Sequence, residues 1–166
     1  MVGVRGERFA GMHCSVARAS AVVADQWTVL ILRDLFLGLN RYEDLRADLG
    51  IATNILADRL DHLVAEEVVE RVAYQERPAR HEYVLTPAGR ELYGVVLTLL
   101  TWGDRHRVVA GPPLVPVHSA CGRPADPRVT CGHCGGELTP EEVTHTAGPG
   151  GRTAPGTALV HTVLRR

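Results

Sequence analysis

Between Arg41 and Pro87 the chain switches from helical to strand-like apolar spacing, and the order of its pieces leaves few folds open. Arg41 to Leu49 is a short amphipathic run whose inner face is Tyr42, Leu45 and Leu49, and Gly50 breaks it. Thr53 to Glu66 resumes at helical spacing, with Thr53 as its N-cap and Ile55, Leu56, Leu60, Leu63 and Val64 in one stripe. Val68 to Tyr74 and His81 to Leu85 are β-rich, and the polar stretch Gln75-Glu76-Arg77-Pro78-Ala79-Arg80 between them reads as the broad tip of a hairpin. Helix, turn, helix, wing is an order suited to duplex DNA. One helix fits a major groove, one braces it, and a charged hairpin reaches the neighbouring backbone or minor groove.

The flanks are helical. From Cys14 to Leu39 the apolar positions recur near a period of 3.6, which predicts two helices joined near Ala24 and Asp25, the second stopped by Gly38 and Asn40. Thr86-Pro87 pairs an N-cap with a first-turn proline and opens a long helix to about Arg107. Leu92, Val95, Val96, Leu99, Leu100 and Trp102 give that helix a wider apolar face than a small domain needs, so part of it should meet another subunit. Ala110-Gly111-Pro112-Pro113 then marks a boundary, dividing the chain into residues 1–110 and 111–166.

Composition sets limits. A chain of 166 residues, 45% hydrophobic and 22% charged, buries one ordinary core and a small appendage. A net charge of −1 exerts no global pull on nucleic acid, so any DNA contact needs a local basic face. The longest apolar candidate, Val22 to Leu39, is interrupted by Asp25, Arg33 and Asp34 and falls short of a membrane span. Arg5, Glu7 and Arg8 precede no signal-type apolar run, which predicts a cytoplasmic, reducing location and no membrane partner. There the four cysteines are better metal ligands or reactive thiols than disulfides.

Three of those cysteines lie in the tail. His118-Ser119-Ala120-Cys121 is followed, nine residues on, by Cys131-Gly132-His133-Cys134-Gly135. Two knuckles of two ligands each can surround a tetrahedral ion, and glycines after Cys121 and Cys134 let the backbone turn about it. Zinc suits such N/S ligands, with Cys121, Cys131, Cys134 and His118, or alternatively His133, as the set. Cys131-Gly132-His133-Cys134 is also similar to the dithiol of protein disulfide isomerases, but Gly135-Gly136 follows at once and no βαβ framework surrounds it. No histidine begins a His-x-Glu, which argues against a zinc deaminase. Gly148 to Gly156 reads as a flexible connection, and Ala158 to Leu164 as a last strand.

The blocks His13-Cys14-Ser15-Val16-Ala17-Arg18-Ala19, Trp27-Thr28-Val29-Leu30-Ile31-Leu32-Arg33-Asp34-Leu35, Tyr42-Glu43-Asp44-Leu45, Ile55-Leu56-Ala57-Asp58-Arg59-Leu60 and Tyr83-Val84-Leu85-Thr86-Pro87-Ala88-Gly89 carry a resemblance. Over Met12 to about Arg107 the chain resembles the HxlR-type winged helix-turn-helix transcriptional regulators. The resemblance implies a mainly α (α+β) fold with flanking dimerisation helices, here followed by a small zinc-ribbon-like element. It implies a homodimer that binds a palindromic operator in double-stranded DNA and is not an enzyme. Thr53, Asn54, Asp58 and Arg59 would face the major groove, Arg77 and Arg80 would meet phosphates from the wing, and Arg41 and Tyr42 would add contacts from the bracing helix. Some family members sense oxidants through a cysteine placed like Cys14, and a small-molecule effector is a further partner to consider.

This chain departs from the family at two places. Glu66-Glu67 stands where an acidic residue followed by glycine is usual, so the turn into the wing calls for a strained non-glycine conformation or a different geometry. Asp58 is a carboxylate where a neutral polar residue is common; it can accept from a cytosine amino group or orient Arg59, which could instead pair with Glu43 or Asp44. Two rival functions follow from other features. One is a winged helix that binds protein through its zinc knuckle; the other is a thiol oxidoreductase using Cys131 and Cys134.

Overall fold

A computed structural model describes Phe9 and residues 11–160. Its elements are α1 (Ser15–Val23), α2 (Gln26–Phe36), α3 (Tyr42–Leu49), α4 (Thr53–Ala65), β1 (Val69–Gln75), β2 (Arg80–Leu85), α5 (Pro87–Glu91), α6 (Tyr93–His106), β3 (Val117–His118) and β4 (Arg123–Pro124). Two compact units result: one uses the chain up to Glu91 and resumes at His145, and the other runs Leu92–Thr144. The division therefore falls at Leu92, before the Gly-Pro boundary at Ala110. Among the described residues no helix is long and apolar enough to cross a membrane.

The core of the first unit is Ile31, Leu32 and Leu35 from α2, Leu45 from α3, Leu56, Leu60 and Leu63 from α4, and Ile51, Val68, Val69 and Tyr83. These are the inward positions of three helices and the wing, and each fully buried leucine contributes on the order of 2 kcal/mol of transfer free energy. Ile55, placed in the inner stripe by spacing, is 37% exposed instead. It stands in the first turn of α4, where the helix still projects beyond the core.

Helix ends follow local chemistry. The Asp25 side chain accepts the Trp27 N–H at 3.0 Å and starts α2. Gly50, at φ 58°, ends α3 in the left-handed conformation that glycine adopts without a Cβ penalty. Thr53 is not the N-cap of α4: that position is Ala52, with no side-chain hydrogen bond, and Thr53 is the first helical residue. The first turn of the helix therefore starts with its N–H groups uncapped by a side chain. The long helix expected from Thr86 to Arg107 is interrupted at Leu92, giving α5 and α6.

β1 and β2 pair antiparallel from Val69↔Leu85 to Gln75↔Arg80, with an irregularity between Ala73 and Gln75. Asn40 and Arg41 add to the β2 side: the Tyr83 N–H donates to the Asn40 carbonyl at 2.8 Å, and Arg41 bridges to Glu82. The turn into the wing has the conformation its sequence implied. Glu67 has φ 56°, a left-handed backbone in a non-glycine residue. Its carbonyl accepts from the Thr86 hydroxyl at 2.7 Å, and that same hydroxyl accepts the Gly89 N–H at 3.0 Å, capping α5 as Thr86-Pro87 suggested. Residues 158–160 lie in a turn that ends in helical conformation, so they do not begin the expected strand. The rest of that segment, 161–164, lies outside the described residues.

Candidate nucleic-acid interface and a cysteine-rich element

Thr53 and Asn54 are exposed at the uncapped start of α4, and Asp58 and Arg59 follow one turn later. Tyr42 holds this turn in place, its hydroxyl donating to the Thr53 carbonyl at 2.8 Å. The bracing helix is thus fastened to the first residue of the helix it braces. Arg59 pairs through Nη2 with Asp58, and neither Glu43 nor Asp44 is its partner. The Arg59 side chain is 17% exposed and its Nε is buried without a hydrogen bond. Asp58 thereby offsets the Arg59 charge before any phosphate arrives.

The wing carries the uncommitted charge. Arg77 and Arg80 are exposed at a four-residue turn, 76–79, where Gln75 Nε2 donates to the Arg77 carbonyl at 3.0 Å. Arg41 stacks its guanidinium 4.8 Å from the Tyr74 ring centroid, which fixes a cation beside the wing near the tip end of β1. Sequence spacing did not reveal that contact, because Tyr74 and Arg41 lie on separate elements.

Beneath this surface Arg33 spans two helices, bonding Asp34 Oδ1 through Nε at 2.7 Å and Asp48 Oδ2 through Nη2 at 2.8 Å. Asp34 is fully buried, and burial pushes its carboxyl above the usual aspartate range despite the Arg33 partner. Asp25, Gln26, Trp27, Asn54, Ile55, Asp58 and Arg59 line a cleft of about 430 Å³ between the start of α2 and the first turns of α4. No local pattern along the chain pointed to it.

Cys14 occupies the N-cap position of α1, half-buried and free. The chain near its other end lies against it: the His13 N–H donates to the Pro155 carbonyl at 3.2 Å, and a Cβ added at Gly156 would stand 3.3 Å from that of Cys14.

In the second unit β3 and β4 form a tight hairpin that places His118 Nδ1 3.5 Å from Cys121 Sγ. Gly122, at φ 66°, makes that turn, and its N–H donates to the His118 carbonyl at 2.8 Å. A second turn is built alike. Gly135 has φ 74°, its N–H donates to the Cys131 carbonyl at 2.8 Å, and Thr130 bridges to Glu137. Backbone N–H groups of His133 and Cys134 and the Cys134 thiol point at the Cys131 sulfur and lower its pKa. Among the described residues no group of three or more His, Cys, Asp or Glu side chains is arranged to hold an ion, so the two turns stand as separate pairs.

The family model for the HxlR-like helix-turn-helix matches residues 22–109, from α1 through α6 and the segment after it. The chain belongs to the HxlR-like helix-turn-helix family. It is a DNA-binding transcriptional regulator by that membership. It is similar to the HTH-type transcriptional regulator Rv3095 of Mycobacterium tuberculosis, with 45% identity over 137 residues, 82% of this chain and 87% of that protein. The crystal structure of the transcription-factor candidate PA1607 superposes with a TM-score of 0.75 at 33% identity, covering 84% of this chain and 98% of that one. Redox regulator HypR in its oxidized form gives a TM-score of 0.54 at 30% identity, covering 58% of this chain and all of that one. The 137 residues shared with Rv3095 exceed the 110 that precede the Gly-Pro boundary, so the likeness enters the cysteine-rich element.

Proposed function

We propose that the protein acts as a homodimer on an inverted-repeat operator, with the first turns of α4 in successive major grooves and the wings on flanking phosphates. The observation that carries this reading is the combination of a side-chain-free α4 N-terminus, fastened by Tyr42, with exposed Arg77 and Arg80 on the wing. Uncapped N–H groups and wing guanidinium groups can neutralise phosphate, while Thr53, Asn54 and the Asp58–Arg59 pair are left for base edges. Dimerisation is supported by apolar surface on both flanking helices: Val16 of α1 is 73% exposed, and Tyr93, Val95, Leu99 and Trp102 of α6 are each about half exposed. A dimer fixes the separation of the two α4 helices at about one helical turn of DNA, or 34–36 Å.

Signal input has two candidate points. A small molecule filling the cleft beside Asn54, Asp58 and Arg59 would compete with DNA for the same side chains. Oxidation of Cys14 would add volume where Gly156 already approaches within contact distance, displacing that segment from the start of α1. Electrophoretic shifts with genomic fragments selected on the pure protein test the main reading. Recovery of a shared inverted repeat supports it; fragments without any common motif contradict it. A Cys14→Ser variant that keeps operator binding in the presence of diamide, where the parent protein loses it, assigns the redox input to Cys14.

A further inference from the structure

Beyond Gly89 none of the described residues is buried. Residues 111–144 nevertheless hold two ordered hairpin turns, and the second is braced by polar contacts of Arg128 with Asp126 at 3.1 Å and with Glu137 at 3.0 Å. Exposed ion pairs of this kind contribute little and cannot hold a segment that lacks a hydrophobic core. Small elements without a core are ordinarily held by disulfides or by a metal, and Cys121, Cys131 and Cys134 are all free thiols.

The turns have the geometry of a metal knuckle. Zinc bonds of about 2.0–2.1 Å to nitrogen and about 2.3 Å to sulfur, at tetrahedral angles, separate the two ligand atoms by about 3.6 Å. His118 Nδ1 and Cys121 Sγ are 3.5 Å apart. The other turn is built the same way: the Gly135 N–H donates to the Cys131 carbonyl at 2.8 Å, as the Gly122 N–H donates to the His118 carbonyl at 2.8 Å, so Cys131 and Cys134 occupy the positions that His118 and Cys121 hold in the first. Both turns are closed by a left-handed glycine directly after the second ligand of the pair, Gly122 after Cys121 and Gly135 after Cys134. The His118–Cys121 pair thus presents one edge of a tetrahedron, and the second pair sits on a turn of the same construction.

We infer that His118, Cys121, Cys131 and Cys134 bind one structural zinc ion, which draws the two turns onto a single centre and supplies the cohesion that this unit lacks in buried apolar surface. His118, whose Nδ1 already stands 3.5 Å from Cys121 Sγ, is the fourth ligand, and the His133 imidazole is left outside the set. Three thiols release their protons on binding, so affinity falls as pH falls. A site with four protein ligands leaves zinc no open position, which makes the role structural.

Elemental analysis of the full chain, purified under reducing conditions from zinc-supplemented cells, is expected to give about one zinc per chain. Replacement by Co²⁺ should produce the intense visible bands of a tetrahedral thiolate-bound ion. Cys121→Ser and Cys131→Ser should each abolish the stoichiometric metal, His118→Ala should weaken it at least tenfold, and His133→Ala and Cys14→Ser should retain it. A reduced protein that takes up neither zinc nor cobalt overturns the inference, as does full retention of zinc by Cys131→Ser. Metal content is read without DNA, so failure here is distinct from failure of operator binding.

Discussion

At the scale of single residues, the turn into the wing concentrates the most local strain. Glu67 is held at φ 56° because its carbonyl must meet the Thr86 hydroxyl while Val68 enters the sheet edge. A left-handed L-residue costs roughly 1–2 kcal/mol, and glycine gives back part of that gain as unfolded-chain entropy. Glu67→Gly should therefore stabilise the protein by about 0.5–1 kcal/mol in chemical denaturation. Gly89 predicts the opposite sign: a Cβ there would lie 2.1 Å from the Val68 carbonyl oxygen, a backbone atom that cannot swing aside. Gly89→Ala should cost more than about 2 kcal/mol, lowering the midpoint without loss of secondary structure at low denaturant. Asp34 sets a pH dependence. Its folded pKa is raised by burial, so its contribution to stability is present below the ordinary aspartate range and is lost as pH rises through the folded value. Denaturation of Asp34→Asn beside the parent protein should show the variant gaining relative stability as pH rises above the ordinary aspartate range of about 4.

Among elements, the wing and α4 divide the work of binding. Arg77 and Arg80 lie on an exposed turn and make no ion pair with a carboxylate among the described residues, whereas Arg59 is committed to Asp58. Changing both wing arginines to alanine should weaken binding to all duplexes alike and flatten the log affinity against log salt slope by about 2. Asp58→Ala frees Arg59, and should raise affinity while relaxing sequence preference. The helix-turn-helix and wing were legible in the sequence because their signals are local: Gly50 ends one helix, Leu56, Leu60 and Leu63 mark the next, and β-rich runs flank a polar tip. What the sequence did not carry are contacts between elements. Tyr42 to Thr53 and Arg41 over Tyr74 depend on how helices and hairpin pack, and the cleft beside Trp27 depends on Ile55 turning outward. Thr53 looked like a cap because threonine favours that position, but the N-cap is Ala52, one residue earlier, and Tyr42 bonds the carbonyl of Thr53 as the first helical residue.

For the whole molecule, the helix expected to be continuous from Thr86 is instead divided at Leu92, where the chain passes from one compact unit to the other. Hydrophobic periodicity runs through that point unbroken, which is why spacing alone could not find it. The same α6 residues that made its apolar face look too wide remain half exposed in one chain, as a surface awaiting a second copy would be. Changing Leu99 and Trp102 to polar residues should shift the protein from dimer to monomer in sedimentation and lower operator affinity by at least tenfold, since each half-site then binds alone. If two α4 helices read one inverted repeat, binding depends on the spacing of its half-sites. The direct test is fluorescence anisotropy on the selected operator with its half-sites at native spacing and with about five base pairs inserted between them, which turns one half-site to the opposite face of the duplex. Two chains should bind the native site tightly and lose at least tenfold in affinity on insertion; equal affinity for both duplexes would rule out paired reading of the repeat.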